Sequence, residues 1–179
     1  MHIQHKAIAI PMTETGHFLT VKDKRFQEWL FVTGGCRKRE IDEPILCALR
    51  ELKEETRGVV DIDNCLYKYF SFKCKSLDDP DAMSIYHVFL LRFEVSIFIR
   101  NNLIRKFKWE KCNMDKRRVI GLPIKRTWDE NDDMSFDTLE ELSDRNCWDL
   151  IYKNILKNPK FIELLSSSSW EKFNVNKNK

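Results

Sequence analysis

The sequence predicts a single domain of the α/β class, in which a sheet carries one strongly patterned helix. Apolar runs of strand length lie on both sides of residues 44–56. Within that segment Ile45, Leu49 and Leu52 stand at i, i+4 and i+7, the stripe by which a helix docks onto a sheet. The chain of 179 residues is long enough to bury a proper core and short enough to form one domain.

Composition excludes global disorder, and charge is distributed unevenly. Apolar residues make up 42% of the chain and the net charge is only +3. From Arg100 to Arg118 there are eight basic residues against two acidic ones, whereas from Asp129 to Asp149 nine acidic residues accompany one arginine. This asymmetry indicates either a basic surface for phosphates or RNA, or two oppositely charged segments packed together.

Cysteine usage and hydropathy bear on the compartment. The six cysteines show no CxxC and no zinc-ligand spacing, and no secretory signal precedes them. We therefore expect free thiols in a reducing compartment. The longest apolar run, residues 88–91, is far shorter than the roughly 20 residues that cross a bilayer. The expected protein is intracellular and soluble, with no membrane partner.

Three strand-like segments precede the patterned helix. Residues 6–10, stopped by Pro11, and residues 18–21 read as the two strands of a hairpin. Residues 29–32 form a third apolar run, after a charged loop. These segments predict the first part of the sheet.

Two further strands are expected after the helix. Residues 66–73 alternate in the manner of a half-buried strand, and residues 84–93 form a β-branched and aromatic run typical of a central strand. His87 lies within the second run. A lone histidine there is more often a packed, hydrogen-bonded residue than a catalyst.

The pattern from about residue 96 to residue 165 is mainly helical. Gly121 breaks a first, basic helix, and a final helix is expected near the capping box formed by Thr138 and Glu141. We expect the single domain to span residues 1–165. Residues 166–179, rich in serine, lysine and asparagine, are predicted to form a flexible tail.

The patterned helix carries carboxylates as well as an apolar stripe. Glu51, Glu54 and Glu55 stand at i, i+3 and i+4 and so share one face. Hard divalent cations such as Mg²⁺ bind through oxygen ligands of this kind. The ordinary alternative is a solvated helix face, since such sequences are good helix formers. The glycine pair Gly34–Gly35 before the helix favours a site, because glycine lets the backbone approach a ligand closely.

This stretch resembles the box of the Nudix hydrolase family, GX5EX7REUXEEXGU, where U is a bulky aliphatic residue. The REUXEE core is matched by Arg50, Glu51, Leu52, Glu54 and Glu55. The interval from Gly35 to Arg50 is one residue longer than the pattern. Glu40 and Asp42 therefore compete for the place of the first glutamate, and Arg57 stands where the final glycine is expected.

The segments TGGCRKRE and CALRELKEETRG are similar to those of Nudix proteins from large DNA viruses. Among these are baculoviral proteins described as ADP-ribose pyrophosphatases and, more distantly, viral decapping enzymes. The resemblance implies the Nudix fold, a mixed β-sheet packed between helices, with the box at residues 34–58 and here a C-terminal helical extension. It implies a hydrolase that uses Mg²⁺ or Mn²⁺ to cleave the diphosphate bond of a nucleoside diphosphate linked to another moiety. A viral protein of this kind would act in the host cytoplasm.

The resemblance also assigns roles to residues. It places the metal on Glu51, Glu54, Glu55 and the carbonyl of Gly35. The expected catalytic residues are Glu54, Glu51, Arg50 and Glu94. Arg50 would hold a box glutamate by a charge-assisted hydrogen bond. The general base is open among Glu94, Glu130 and Glu140, in that order. The expected substrate contacts are Lys22, Lys24, Arg25, Gly34 and Arg37.

Two substrates and one non-catalytic function compete. ADP-ribose, cleaved to AMP and ribose 5-phosphate, follows from the viral resemblance. Capped mRNA, from which methylated GDP would be released, is favoured by the basic segment 100–118, because phosphate contacts dominate RNA affinity. Trp29, Trp109 or Trp128 could then stack on the methylated base. A binding module that senses a nucleotide without cleaving it is favoured by the irregular front of the box and opposed by its complete REUXEE core.

Overall fold

The computed structural model describes residues 2–175, which form one eight-stranded mixed sheet with helices on both faces. Its strands are β1 (His2–Met12), β2 (Phe18–Asp23), β3 (Trp29–Leu30), β4 (Val32–Gly35), β5 (Asn64–Lys75), β6 (Ala82–Arg92), β7 (Asn131–Asp137) and β8 (Glu171–Asn174). The order across the sheet is β3-β2-β1-β6-β5-β8, with β4 also paired to β1 and β7 to β2. The long central pair, β1 and β6, is parallel.

The helices differ greatly in length. They are α1 (Pro44–Glu55), α2 (Ile97–Val119), α3 (Leu139–Ser143), α4 (Asp149–Ile151) and α5 (Pro159–Ser166). A 3₁₀ turn, Lys38–Glu40, precedes α1; a second, Arg126–Trp128, precedes β7; and a π-helical turn, Tyr152–Leu156, follows α4. No helix within residues 2–175 has the length and apolar character needed to span a bilayer.

Two apolar clusters show that the sheet is packed between two helical layers. One face of β1 and β6 packs against α1 and α2, and the other packs against α3, α4 and α5. Alternate residues of a strand point to opposite faces, so Ala7 and Ala9 of β1 lie in the first cluster while Ile8 and Ile10 lie in the second. The expected mixed sheet between helices is confirmed.

The first strands pair differently from the expected hairpin. β1 and β2 share only the pair Met12–Phe18, and β2 instead pairs along its length with β7. Pro11 lies inside β1 and does not end it. The pairing of β1 with β4 ends at Ala9–Val32. Pro11 therefore has no β4 partner, and its missing N–H costs no hydrogen bond on that side.

The prediction of a long final helix starting near Thr138 is wrong. Residues 131–137 form β7, and Thr138 caps only the short α3, accepting a hydrogen bond from the backbone N–H of Glu141 at 3.1 Å. β7 ends in the fully buried Asp137, which accepts a hydrogen bond from Thr20 and pairs with Arg145. These partners are remote in sequence, and they hold the segment in the sheet.

The expected flexible tail is wrong for its first part. β8 pairs antiparallel with β5, and the buried Lys68 of β5 donates hydrogen bonds to the carbonyls of Leu164 and Ser167 and lies 4.4 Å from the Trp170 ring. The last part of that prediction, residues 176–179, lies outside the described residues. All six cysteines are free.

Candidate active site

The helix α1 is built as the sequence predicts, but two of its glutamates are buried. Pro44 occupies the first helical position, where its missing N–H is not needed, and the apolar stripe packs onto the sheet. Glu51 and Glu55 are only 9% and 6% exposed, and Glu54 is half-buried. These carboxylates therefore do not form an ordinary solvated face.

Arg50 organises the carboxylates around it. Its Nε and Nη2 donate to the two carboxylate oxygens of Glu40 at 2.7 and 3.0 Å. Its Nη1 donates to Glu51 at 2.6 Å and to Glu54 at 3.2 Å. Such charge-assisted bonds are short and directional, so Arg50 fixes three glutamates relative to one another.

The competition between Glu40 and Asp42 is resolved by this network. Glu40 is buried and bound to Arg50, whereas Asp42 is exposed. Glu40 stands six residues after Gly34, which is the box spacing when Gly34 is taken as its first glycine. The two additional residues lie between Glu40 and Arg50, where the chain leaves the 3₁₀ turn and enters α1.

Gly34 is required by the close approach of Glu51. A Cβ atom at Gly34 would lie 1.9 Å from Cδ of Glu51, whereas a Cβ at Gly35 would meet nothing within 4 Å. The Gly35 carbonyl accepts a hydrogen bond from Nη2 of Arg50 at 2.9 Å. The glycine pair thus admits a carboxylate at one residue and orients a carbonyl at the next.

Glu55 is a buried carboxylate with little local compensation. In the described part of the chain its carboxylate accepts one hydrogen bond, from Nδ2 of Asn131 at 3.4 Å. Burial, followed by the charges of Glu51 and Glu130, raises the pKa of Glu55 well above its usual range. Burial also raises the pKa of Glu51. A buried anion without a cation is costly, so the arrangement calls for a positive charge.

The segment before β7 brings residues from far along the sequence to this point. Arg57, buried and at φ +56°, donates to the carbonyls of Trp128 and Asn131. Its guanidinium lies 4.2 Å from the ring of Phe107 in α2. Arg57 therefore ties the end of α1 to the segment that carries Glu130 and Asn131.

Glu130 is the candidate base that the structure brings to the box. Partial loss of hydration, then the charges of Glu54 and Asp23, raise its pKa, and its own charge acts on Glu51 and Glu55. Its side chain is exposed and so accessible to water. The combination of proximity and access suits a proton acceptor.

Glu94, the first candidate base from the sequence, lies elsewhere. It forms an ion pair with Arg92 and borders a separate cavity of about 840 Å³ between Glu43 and β8. Glu140 is exposed in the first turn of α3. His87 is hydrogen-bonded to His5 at 3.0 Å and to Tyr69 at 2.8 Å, which agrees with a packed polar residue.

The donor set fits a hard divalent cation by its chemistry. Glu51, Glu54, Glu55 and the carbonyls of Gly34 and Gly35 supply oxygen ligands, as Mg²⁺ and Mn²⁺ prefer. Within residues 2–175 no three His, Cys, Asp or Glu side chains already converge on one point. Arg50 Nη1 lies between Glu51 and Glu54, so metal binding requires these carboxylates to turn from Arg50.

A cavity of about 580 Å³ opens beside the glycine pair. Its lining includes Gly34, Gly35, Lys6 and two aromatic side chains, Phe26 and Trp148. A volume of this size is typical of small-molecule sites. Its aromatic walls suit a nucleobase, while Asp23, Glu28 and Asp78 place three carboxylates in the same lining as Lys6.

The predicted substrate contacts are placed unequally. Gly34 lines the cavity, but Lys24 pairs with Asp129 at 2.9 Å and Arg37 with Glu54 at 3.5 Å. Arg25 lies over the ring of Phe26, and Lys22 is half-buried in β2. Among the described residues, this loop contributes Asp23, Phe26 and Glu28 to the cavity lining and none of the three cations.

Sequence reasoning missed five residues that the site uses. They are Lys6, Phe26, Arg57, Asn131 and Trp148. Arg57 was visible as a departure from the box and Phe26 as an apolar residue in a charged loop. Asn131 and Trp148 gave no local signal, because their positions depend on strand pairing across more than 100 residues.

The chain was compared with known proteins. The NUDIX domain family matches residues 3–114, which is more than half of the chain. The MutT protein from Methanosarcina mazei Go1 superposes with a TM-score of 0.56 at 15% identity, covering 93% of this chain and 97% of that one. The Nudix hydrolase RenU from M. smegmatis superposes with a TM-score of 0.54 at 7% identity, covering 94% and 89%.

None of the curated proteins matches the chain. The two solved structures are similar in fold, and their identities are too low to carry more than that. The family match covers the glycine pair, the Glu40–Arg50 network and the buried carboxylates of α1. The chain therefore belongs to the Nudix family and is a hydrolase that acts on pyrophosphate bonds.

Proposed function

We propose that this hydrolase cleaves the diphosphate bond of a nucleoside diphosphate linked to another moiety, with ADP-ribose as the best-supported substrate and AMP and ribose 5-phosphate as products. One observation carries the proposal: a cavity of nucleotide size opens at Gly34, against which the Glu51 carboxylate packs. The cavity and the carboxylates of α1 thus adjoin one another at the backbone of Gly34, although within residues 2–175 no α1 side chain is part of the cavity lining.

Glu51, Glu54, Glu55 and a carbonyl of the glycine pair would hold Mg²⁺ or Mn²⁺. A divalent cation bound there supplies neutralisation of phosphate charge and activation of water. Before the metal ion binds, Arg50 holds the carboxylates of Glu40, Glu51 and Glu54 in place by hydrogen bonds. Nudix hydrolases generally use divalent metals, which agrees with this donor set.

Glu130 is proposed as the general base. It accepts a proton from the attacking water while the new P–O bond forms, the anhydride P–O bond breaks and the second phosphate leaves as a phosphate monoester. Two contacts support the assignment, since Arg57 and Asn131 hold its segment against α1. Glu94 has no comparable support.

ADP-ribose is favoured over a longer substrate by the form of the cavity. Phe26 and Trp148 offer flat apolar surfaces for the adenine, and Lys6 lies in the same lining for the phosphates. Lys6 pairs only weakly with the exposed Asp78, at 3.4 Å. A cavity of about 580 Å³ has the size of one small molecule and does not extend as a track for RNA.

Capped RNA loses part of its support in the structure. The basic segment expected to bind it is partly neutralised by the acidic segment, since Lys111 pairs with Asp132 and Arg118 pairs with Asp129. These two pairs favour the second interpretation of the charge asymmetry, two segments packed together, for Lys111 and Arg118. A purely binding module would not need the complete Arg50 network with its carboxylates.

The substrate assignment is tested by steady-state kinetics with Mg²⁺ on ADP-ribose and on cap-labelled RNA. We expect Trp148→Ala to raise KM for ADP-ribose by about tenfold, the effect of losing one stacking contact. Trp109→Ala, at an exposed tryptophan remote from this lining, is the matched control and should leave KM unchanged. Turnover of capped RNA with release of methylated GDP, and none of ADP-ribose, would overturn the assignment.

A further inference from the structure

The outward face of α2 has an unusual composition. Ser96 caps this 23-residue helix, and Phe107 and Met114 are buried against the rest of the fold. The helix nevertheless has apolar residues on the opposite face. Phe98 is 76% exposed and Trp109 is 63% exposed.

These exposed apolar residues are aligned along the helix. Phe98, Trp109 and Ile120 are spaced by eleven residues, about three helical turns, so they lie on one line roughly 16 Å apart. Ile120 is 70% exposed and its neighbour Val119 is 86% exposed. Because Phe107 lies about half a turn from this line, the line points away from the packed side of the helix.

Unpaired cations lie between and beside the apolar residues. Arg105 and Lys116 fall on the same line, and Lys106 and Lys108 flank it on either side. All four are exposed, and in the described part of the chain none has an ion pair.

No carboxylate offsets these charges on the outward face. Asp115 is paired with Arg118, and Glu110 lies on the packed side, where its charge acts on the buried Arg57. Opposite charges elsewhere on this surface are paired, for example Lys111 with Asp132. The outward face is therefore both cationic and apolar.

Contrary to the expectation from the sequence that there is no membrane partner, we propose that α2 binds the surface of an anionic lipid bilayer, lying parallel to it. Phe98, Trp109 and Ile120 would enter the boundary between headgroups and acyl chains, and the four cations would contact lipid phosphates. Exposed apolar side chains stand at both ends of the helix and at Trp109, with unpaired cations between them, which is the composition of a helix face that lies on an anionic bilayer. Nucleobases could stack on Phe98 and Trp109, but aliphatic Val119 and Ile120 offer them no platform.

Sedimentation with vesicles tests the proposal directly and requires no catalytic activity. The full chain is mixed at physiological salt with phosphatidylcholine vesicles that contain or lack phosphatidylserine. We expect binding only to the anionic vesicles. Exchanging Arg105→Gln or Lys116→Gln should weaken it about fivefold each, which is the effect of one surface cation.

The apolar contribution is tested by Phe98→Ser with Trp109→Ser, which should weaken binding by about tenfold or more. The matched control is Ile3→Ser with Ile162→Ser, two side chains exposed to 51% and 50% on other elements, and it should bind as the wild type does. All these side chains are exposed, so circular dichroism should show an unchanged fold.

Three outcomes would overturn the proposal. The first is no binding of the wild type to anionic vesicles. The second is equal binding by the Phe98→Ser/Trp109→Ser variant. The third is binding of single-stranded RNA, or self-association in analytical ultracentrifugation, that the same variants abolish while vesicle binding is absent.

Discussion

At Gly34 the backbone lies against the Glu51 carboxylate, and this contact gives the sharpest single-residue prediction. Gly34→Ala would place a Cβ 1.9 Å from Glu51 Cδ and displace that carboxylate. We expect kcat to fall by about 100-fold, since a displacement near 1 Å at a catalytic group has such effects.

Gly35→Ala is the control for this prediction. Its Cβ meets nothing within 4 Å, and neither glycine has a positive φ, so alanine is compatible with the backbone at both positions. The measurement is kcat for both variants, with thermal unfolding to show that both fold. Equal activity of the two variants would mean that the position of Glu51 does not matter for the reaction.

Substitutions at Glu130 and Glu94 give a second comparison between two variants. Glu130→Gln should lower kcat by about 10²- to 10⁴-fold, the usual effect of removing a general base. Glu94→Gln should change it little, because Glu94 pairs with Arg92 at a separate cavity. The reverse pattern in steady-state kinetics would restore Glu94 as the base.

At the residue scale, the sequence was sufficient to predict those site residues whose relative positions are set by local spacing. The REUXEE core located Arg50 and its glutamates, because one helical turn fixes their relation. The choice between Glu40 and Asp42 depended on the loop into α1, which spacing alone left open. Asn131 could not be predicted, since strand pairing brings it to Glu55 from 76 residues away.

At the scale of elements, Arg57 joins three of them. It follows α1 by two residues, stacks on Phe107 of α2 and donates to the carbonyls of Trp128 and Asn131, before and at the start of β7. Arg57→Gly would relieve a positive φ and restore the residue that the family pattern expects, but it would remove these contacts. We expect the loss of contacts to dominate, with the free energy of unfolding lowered by about 1–3 kcal/mol.

The same variant should lower kcat by at least about tenfold while KM changes less, because Arg57 positions the segment of Glu130 and does not touch the cavity. Chemical denaturation and kinetics measure the two effects. Added guanidinium, at concentrations that do not unfold the chain, should restore part of kcat. An Arg57→Gly protein with wild-type kcat would show that the link has no catalytic role.

A histidine on β6, between β5 and β1, leads us to predict that stability depends on pH. Burial and then the charge of His5 lower the pKa of His87 below its ordinary value of 6.5. As the pH falls through that value, the unfolded chain takes up a proton before the folded chain does, so the free energy of unfolding should decrease. His87→Gln should reduce this decrease in urea titrations at several pH values, whereas His2→Gln at the exposed start of β1 should not.

Elements with strong local patterns were predictable, and those fixed by remote partners were not. α1, β5 and β6 followed their apolar periodicity. β7 was mistaken for the start of a helix, because Asp137 is buried against Thr20 and Arg145 and so its polarity was misleading. β8 was taken for a tail, because its place depends on pairing with β5 and on the C-terminal contacts of Lys68.

At the scale of the whole molecule, the mixed sheet separates two groups of site residues. Its α1 face carries the buried carboxylates, while α3, α4 and α5 close the other face and supply Trp148 beside the cavity. The fold class was predictable because alternating strands on both sides of one amphipathic helix require a sheet covered by helices. The site was only partly predictable, since it is assembled from both ends of the chain.

Metal binding should stabilise the whole fold. The folded chain brings the carboxylates of α1 near one another and the unfolded chain does not, so Mn²⁺ at about 100 times its Kd should raise the free energy of unfolding by about 2.7 kcal/mol. Thermal unfolding of Glu55→Gln should be insensitive to Mn²⁺. An equal rise of Tm in both proteins would place the cation elsewhere.

The most direct test of the central claim is product analysis of ADP-ribose with Mg²⁺ or Mn²⁺, comparing the wild type with a folded Glu55→Gln variant. The buried Glu55 carboxylate is central to the proposed metal site, and glutamine keeps its shape without its charge. We predict AMP and ribose 5-phosphate from the wild type and no turnover by the variant. Equal turnover by both proteins would contradict catalysis by the carboxylates of α1.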